Sequence, residues 1–239
     1  MMVNDYCENV LIQQTMADFL HDKLDWCVSY AHNKEKLGAS GTYGRESYEE
    51  VILPRQLKAA MKRLNPWLTD EQLSEVKTAL EGHLASASLM TINEEKYALL
   101  KDGVNVSYVD KSGERRQRKA QLIDFDKPEN NDFLAVQELK IASPQFGNRR
   151  TDIIGFVNGI PLLFVELKKQ TVDIVNAYND NYRDYLHKIP QLFYCNAFIM
   201  LSNGVDAKIG TLGSKFAFFH EWKRLQENEQ GRVDLETML

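Results

Sequence analysis

The sequence lacks the features of membrane, secreted and disulfide-bonded proteins. No run of about 18 apolar residues occurs that could cross a bilayer. The N-terminal stretch MMVNDYCENV is polar and acidic, unlike a secretory signal peptide. The chain has only three cysteines, Cys7, Cys27 and Cys195, and their odd number and wide spacing fit neither a disulfide framework nor a zinc site. We therefore expect free thiols in a reducing cytoplasm and no contact with a membrane.

Missing motifs and the charge balance exclude further classes. No G-x-x-x-x-G-K-[ST] loop occurs, and segment 210–215, the nearest to it, does not fit, which excludes a P-loop motor. No G-x-S-x-G elbow supports a serine hydrolase. Lys and Arg number 29 against 34 for Asp and Glu, and a net charge of -5 argues against coating nucleic acid by bulk charge. The charge still permits a nucleic-acid enzyme whose carboxylates hold a metal.

The pattern of apolar residues changes along the chain from helical to alternating. Apolar spacing predicts helices over residues 6–31, 46–64, 69–84 and 94–100, and Pro54 should kink or split the second of them. Thr69 and Gln72 form a capping-box pattern at the third of these helices. Alternation predicts strands over residues 104–109, 116–125, 133–141, 151–157, 160–167 and 191–201, with a helix over 172–186. This order indicates an α/β core that contains an antiparallel hairpin.

The hairpin carries the residues that suggest chemistry. Asp152 begins its first strand, and Glu166 and Lys168 end its second strand. Because side chains alternate along a strand, Glu166 and Lys168 lie on the same face. The turn Asn158-Gly159 folds Asp152 back beside them.

The length of the hairpin turn decides whether the two carboxylates can meet. A two-residue turn pairs Asp152 with Val165, which puts Asp152 and Glu166 on opposite faces. A three-residue loop pairs Asp152 with Phe164, which makes Glu166 a neighbour on the same face. If the site is real, we predict a three-residue loop or a β-bulge, and a tight turn without a bulge would count against it.

Two carboxylates beside an amine suit the hydrolysis of phosphodiesters. Hard oxygen ligands favour Mg²⁺, which polarises a phosphate and lowers the pKa of a bound water. The Lys168 amine could orient that water or stabilise charge on the phosphate. The alternative is a solvated strand end with a salt bridge between Glu166 and Lys168, because a D…ExK pattern is short.

The hairpin sequence closely resembles the signature of the N-terminal nuclease domain of the restriction (R) subunit of type I restriction-modification enzymes. Three further segments resemble that subunit in the same order, so the resemblance covers residues 8–211. The matching segments are RTDIIGFVNGIPLLFVELKK, ENVLIQQTMADFL…LDW, GRESYEEVILPRQLKAAMKRLNP and NAYNDNYRDYLHKIPQLFYCNAFIMLSNG. The resemblance implies a PD-(D/E)xK fold, an α/β core whose mixed central sheet is flanked by helices, plus an N-terminal helical region.

The resemblance also assigns the site residues. Asp152 takes the position of the metal-binding aspartate, Glu166 that of the glutamate in the ExK element, and Lys168 that of its lysine. Thr151 stands where the family often has proline. Asn181 and Tyr185 match a Gln-x-x-x-Tyr element that shapes the site or contacts DNA, with Asn one methylene shorter than Gln, and a core aromatic is the alternative for Tyr185.

Further residues complete the predicted site. The fold usually adds a metal-binding glutamate from a helix before the sheet. Glu8 best matches that position, and Glu50 in the second helix is the other candidate. Three cations near the motif, Arg149, Arg150 and Lys169, could contact DNA phosphates. A solvated surface is the alternative for each of these residues.

The resemblance implies a Mg²⁺-dependent endonuclease domain, with Mn²⁺ as a possible substitute, in a bacterial or archaeal cytoplasm. Unmodified double-stranded DNA would be cut within an ATP-driven translocating complex, with specificity and methylation subunits as partners. ATP would act only through motor domains of the same subunit, so this chain would be an N-terminal piece. We expect a mainly helical part over 1–100, the nuclease core over 101–220 and a tail over 221–239 leading to the motor. The alternatives are a docking module with a vestigial site and a stand-alone repair-type nuclease.

Overall fold

Five α-helices and ten strands are the main elements of the part of the chain that the structure describes. The computed structural model describes residues 2–109 and 112–221, with side chains from residue 11 onward. The helices are α1 (Met2–Leu24), α2 (Pro54–Leu64), α3 (Asp70–Glu81), α4 (Leu89–Asp102) and α5 (Arg183–Lys188). The strands are β1 (Cys27–Tyr30), β2 (Val104–Val109), β3 (Arg115–Ala120), β4 (Phe133–Gln137), β5 (Lys140–Ser143), β6 (Gly147–Arg150), β7 (Ile153–Val157), β8 (Ile160–Leu167), β9 (Phe198–Ser202) and β10 (Ala207–Gly210).

A mixed six-stranded sheet forms the centre of the fold. Its strand order is β1-β4-β7-β8-β9-β10, in which β1 is parallel to β4 and β8 is parallel to β9. The remaining neighbours are antiparallel. Two separate ribbons, β2–β3 and β5–β6, accompany this sheet. The predicted α/β core with a mixed sheet flanked by helices is confirmed.

Alternate side chains of the central strands pack on opposite faces of the sheet. Ile153, Val165 and Leu167 pack with Met16 and Leu20 of α1. The neighbouring residues in β7 and β8 pack on the other face, among aromatic side chains that include Tyr182, Tyr185 and Phe193. Both faces are therefore covered, which explains the nearly continuous apolar runs of β7 and β8.

Helix α1 ends earlier than the predicted helix over 6–31. Asp25 adopts a left-handed conformation with φ of 59°. The Asp25 amide donates to the His21 carbonyl, as in the αL motif that ends many helices, and the Trp26 amide donates to the Leu20 carbonyl. The chain then enters β1, which pairs with β4. The division at residue 100 stays a prediction, although β1 brings part of the first hundred residues into the central sheet.

Several other boundaries differ from the predicted ones for local reasons. Helix α2 begins at Pro54, which occupies its first turn, so Pro54 neither kinks nor splits a helix and the helix predicted over 46–53 is wrong. The predicted strand 133–141 is interrupted at Glu138, whose φ is 53°. A π-helical turn, Ala177–Tyr182, precedes α5 within the predicted helix 172–186. The predicted strand 191–201 begins only at Phe198, after a 3-10 turn at Pro190–Phe193.

The capping box at Thr69 is confirmed. Its side chain accepts from the Gln72 amide, and the Gln72 side chain accepts from the Thr69 amide. Most of the predicted tail over 221–239 lies outside the described residues. In the part that the structure describes, no helix combines the length and apolarity needed to cross a bilayer.

Candidate active site

A two-residue turn and a β-bulge together set the register of the β7–β8 hairpin. Asn158 and Gly159 both have positive φ, and Val157 pairs with Ile160 across the turn. The register then shifts by one residue, so that Gly155 pairs with Leu163 and Ile153 with Val165. Continued by one residue, this register places Asp152 directly opposite Glu166 on the same face. The predicted bulge is confirmed, and it restores the shared face that the tight turn alone would remove.

Asp152 is held by two N–H donors from different parts of the chain. The Gln13 side chain donates from Nε2 to Asp152 Oδ1 at 2.8 Å, and the Leu167 amide donates to Oδ2 at 2.7 Å. Gln13 is itself fixed, because Gln137 of β4 donates from Nε2 to the Gln13 carbonyl at 3.1 Å. The Asp152 carboxylate is therefore oriented by α1 on one side and by β8 on the other.

Glu166 lies beside Asp152 in a buried position. Only 2% of the residue is exposed. Lys168 Nζ lies 3.4 Å from Glu166 Oε1 and donates a hydrogen bond to Asn181 Oδ1. Glu166 Oε2 is buried without a hydrogen-bond partner. An orphaned anionic oxygen in such a place indicates a cation or donor that the protein itself does not supply.

Burial makes both carboxyl groups hold their protons more tightly than in water. Loss of solvent is the main cause, and it raises the pKa of Asp152 from 3.8 to about 6, against the opposing effects of the Leu167 amide and Lys168. Burial and then the charge of Asp152 raise the pKa of Glu166 well above 4.5, with Lys168 opposing. Two neighbouring carboxylates with raised pKa values would be stabilised in their ionised form by a shared cation.

Tyr185 and Thr151 hold the backbone that leads into Asp152. The buried Tyr185 hydroxyl donates to the Arg150 carbonyl at 2.9 Å, and the ring packs at a right angle to Phe164. The buried Thr151 donates from its amide and from Oγ1 to the Leu139 carbonyl, at 3.1 Å and 3.2 Å. Proline at position 151 could not donate that amide hydrogen bond, so Thr151 anchors the strand start by a different means.

Neither of the two glutamates predicted as metal ligands is seen at the hairpin carboxylates. Glu8 lies in α1, but its side chain is outside the described residues. Glu50 is not in a helix, because α2 begins at Pro54. Its carboxylate accepts from Lys77 Nζ at 2.9 Å and from the Glu46 amide at 2.8 Å, so it is paired away from the hairpin.

The three predicted DNA-contacting cations lie around the site. Arg149 Nε bonds to Asp184 Oδ2 at 2.6 Å, and Arg150 Nη1 lies 3.5 Å from Glu138 Oε2. The Arg150 side chain is 45% exposed, whereas Lys169 is partly buried next to Lys168. DNA contact by these three residues stays a prediction.

Gln13 is the site residue whose importance the sequence did not predict. It is 7% exposed and sits on the apolar stripe of α1 with Met16 and Leu20. A polar side chain at core spacing in an otherwise apolar stripe was the available signal. Its partner could not be read from the sequence, because Asp152 is 139 positions away. Among the described side chains, no three from His, Cys, Asp and Glu come together as a metal-holding group. Of the α1 side chains that the structure describes, the Gln13 amide is the one that bonds to Asp152.

Comparison with known proteins identifies the family. Residues 5–218 match the family described as Type I restriction enzyme R protein N terminus. The Type I restriction enzyme HindI endonuclease subunit of Haemophilus influenzae is 35% identical over 231 residues, which cover 95% of this chain and 21% of that subunit. The putative type I restriction enzyme MjaIXP endonuclease subunit of Methanocaldococcus jannaschii is 28% identical over 209 residues, 86% of this chain and 20% of that subunit.

The match extends over nearly the whole chain, but the chain spans only about a fifth of the length of these curated relatives. The match includes the β7–β8 hairpin, α1 and the segment that carries Asn181. The site geometry and the comparisons agree on one assignment. The chain belongs to the family of type I restriction enzyme R protein N-terminal domains.

Proposed function

We propose that this domain hydrolyses phosphodiester bonds of double-stranded DNA with a Mg²⁺ ion held by Asp152 and Glu166, for which Mn²⁺ can substitute. The observation that carries the proposal is the bulged hairpin, which brings the partly buried Asp152 carboxylate, the buried Glu166 carboxylate and the Lys168 amine to one place. The names of the relatives, endonuclease subunits of type I restriction enzymes, support the same activity.

The donor set fits a hard divalent cation. Carboxylate oxygens are the ligands that Mg²⁺ prefers, and Glu166 Oε2 is free of any other hydrogen-bond partner. When bound, such a cation would supply Lewis-acid charge to the phosphate and lower the pKa of a water molecule. The burial that disfavours the ionised carboxyl groups would also strengthen their attraction for the cation.

The protein's own residues would prepare the site for this chemistry. Gln13 and the Leu167 amide orient Asp152, so the carboxylate does not rotate freely. Asn181 and Glu166 position the Lys168 amine, which carries a positive charge toward the place of the reacting phosphate. A fixed ammonium stabilises negative charge that develops on phosphate oxygens, or orients the attacking water.

We infer the setting of this reaction from the same relatives. The domain would act in the cytoplasm on unmodified DNA, within a complex that has specificity and methylation subunits. ATP would be bound and hydrolysed by motor domains of the same subunit, since this sequence has no P-loop motif. The whole complex is part of the proposal, because this chain spans only about a fifth of the length of its relatives.

Metal binding tests the proposal at the site itself. Calorimetry should show that the chain binds Mn²⁺ or Mg²⁺ and that Asp152→Asn weakens binding at least about tenfold. Because protons compete for the carboxylates, the affinity should fall as the pH drops below the Asp152 pKa of about 6.

The same measurement separates the alternatives. Metal binding that does not depend on Asp152 would reject the assignment of Asp152 as a metal ligand and favour a docking module. Cleavage of DNA by this chain alone, without ATP, would instead favour a stand-alone nuclease.

Gln13 and its neighbour provide a matched pair of substitutions. Gln13→Ala should lower metal affinity by about tenfold to a hundredfold, because it removes the donor that orients Asp152. Gln14→Ala should have no effect, since Gln14 points outward and bonds to Asp18. Equal affinities of the two variants, measured by calorimetry, would show that Gln13 does not prepare the site.

A further inference from the structure

A small basic pocket is lined in part by Arg150, which precedes Asp152 by two residues in the chain. Its volume is about 250 Å³. The loop after β1 forms one wall, the β5–β6 ribbon forms another, and Tyr48 closes the space between them. The side chains that define it are His32, Tyr48, Lys140, Asn148, Arg149 and Arg150.

The charge of this pocket is positive. Its one acidic lining residue, Glu35, is neutralised by a bidentate contact with the buried Arg45, at 2.8 Å and 2.6 Å. Arg149 and Arg150 each contact a carboxylate. Lys140 does not, since no carboxylate of the described residues lies within 4.0 Å of its amine. Lys140 Nζ instead lies 4.4 Å from the centre of the Tyr48 ring, which holds the ammonium in place by a cation–π contact.

The pocket and the carboxylates occupy the same edge of the sheet. Tyr30, the last residue of β1, pairs with Gln137, which in turn pairs with Ile153, the residue after Asp152. The Glu138 amide donates to the Asp152 carbonyl at 2.9 Å, and Glu138 also contacts Arg150 of the pocket. Glu138 therefore links the two places, since its amide bonds to the Asp152 backbone and its carboxylate lies beside Arg150 of the pocket.

We propose that this pocket binds a backbone phosphate of the DNA next to the one that is cut, with Lys140 as its principal cation. The inference rests on the proposed function, because it requires DNA to be the substrate. A tetrahedral phosphate suits the pocket, since Lys140 and the two arginines supply charge while Asn148 and His32 supply hydrogen-bonding groups. Contacts of this kind position the strand and carry no sequence preference.

Duplex binding by the purified chain, without divalent cations, tests the pocket. Fluorescence anisotropy with a short labelled DNA duplex should show that Lys140→Gln weakens binding about threefold to tenfold and lowers the slope of log affinity against log salt by about one. Lys140→Arg keeps the charge and should bind like the wild type. Lys101→Gln, which removes an exposed lysine at the end of α4, should also leave binding unchanged.

Two outcomes would overturn the inference. One is equal affinity and salt slope for Lys140→Gln and the wild type, and the other is an equal loss in Lys101→Gln. Inorganic phosphate, titrated by calorimetry, distinguishes the source of the anion. Phosphate binding that depends on Lys140, combined with unchanged duplex affinity, would identify a site for a free anion and reject the DNA contact.

Two measurements distinguish a failure of the phosphate pocket from a failure of the proposed catalytic function. Duplex binding without a metal does not depend on hydrolysis. If Lys140→Gln loses affinity while cleavage survives removal of the Lys168 amine, the pocket stands and the catalytic assignment fails. If Lys140→Gln binds normally while cleavage needs Lys168, the catalytic assignment stands and the pocket fails.

Discussion

Replacing Lys168 with alanine in the complete enzyme is expected to reduce DNA cleavage by at least about a thousandfold while ATP hydrolysis continues. Lys168 is the cation placed beside Glu166, and Asn181 fixes its amine. Its removal takes away the positive charge that would stabilise the negative charge developing on the phosphate in the transition state. The loss should appear in the rate of the chemical step, because the carboxylates that would hold the metal remain.

Gel assays of cleavage and a coupled ATPase assay on the same preparation would measure both activities. Lys101→Ala serves as the control for removal of a lysine, since Lys101 is exposed at the end of α4. Wild-type cleavage by Lys168→Ala would contradict the catalytic role. Loss of both activities would also contradict it, because a lysine acting only in cleavage should leave the motor unaffected.

The change Glu166→Gln is expected to stabilise the folded chain while abolishing metal binding. At neutral pH the wild-type protein must bury a carboxyl group that has one unpartnered oxygen. Glutamine has the same shape and no charge, so we expect a gain of about 1–3 kcal/mol in the free energy of unfolding. A site that binds a cation is thus predicted to reduce the stability of the metal-free chain.

The pH dependence of this gain follows from the raised pKa of Glu166. The folded chain binds the proton more tightly than the unfolded chain, whose glutamate has a pKa near 4.5. The contribution of Glu166 to stability is therefore fully present below about pH 4.5 and is lost as the pH rises through its folded pKa. Glu166→Gln should accordingly gain stability near pH 8 and little or nothing near pH 4.

Urea unfolding of both proteins at these two pH values, in the presence of a chelator, would measure the effect. Glu49→Gln controls for removal of an acidic charge from an exposed position. Added Mn²⁺ should raise the melting temperature of the wild type and leave that of Glu166→Gln unchanged. A variant less stable than the wild type near pH 8 would contradict the idea that the buried charge carries a cost.

The hairpin could be predicted from the sequence because its geometry depends on residues that are close together along the chain. The Asn-Gly turn, the alternation of side chains and a parity argument sufficed to require a bulge or a longer loop between Asp152 and Glu166. The structure has that bulge, with Leu162 left unpaired between Pro161 and Leu163. The capping box at Thr69 was predictable for the same reason, since both of its hydrogen bonds span three residues.

The remaining features depend on contacts between distant segments. The end of α1 was mispredicted because apolar residues such as Trp26, Val28 and Tyr30 suit either a helix or a strand. Gln13 reaches Asp152 only because α1 packs across β7 and β8, and no spacing within α1 indicates that contact. The helix glutamate of the metal site stays a prediction, because the side chain of Glu8 lies outside the described residues.

The unpaired Leu162 has a consequence for how this protein can change over evolutionary time. The turn end of the hairpin is fixed by a hydrogen bond from the Leu53 amide to the Gly159 carbonyl, so a length change cannot be absorbed there easily. Deleting one residue between the turn and Glu166 would rotate the glutamate to the opposite face and separate it from Asp152. Substitutions that keep an apolar side chain of similar size in this stretch would leave the register unchanged. The placement of Asp152 opposite Glu166 therefore depends on the number of residues between the turn and Glu166, so we expect insertions and deletions there to be more harmful than substitutions.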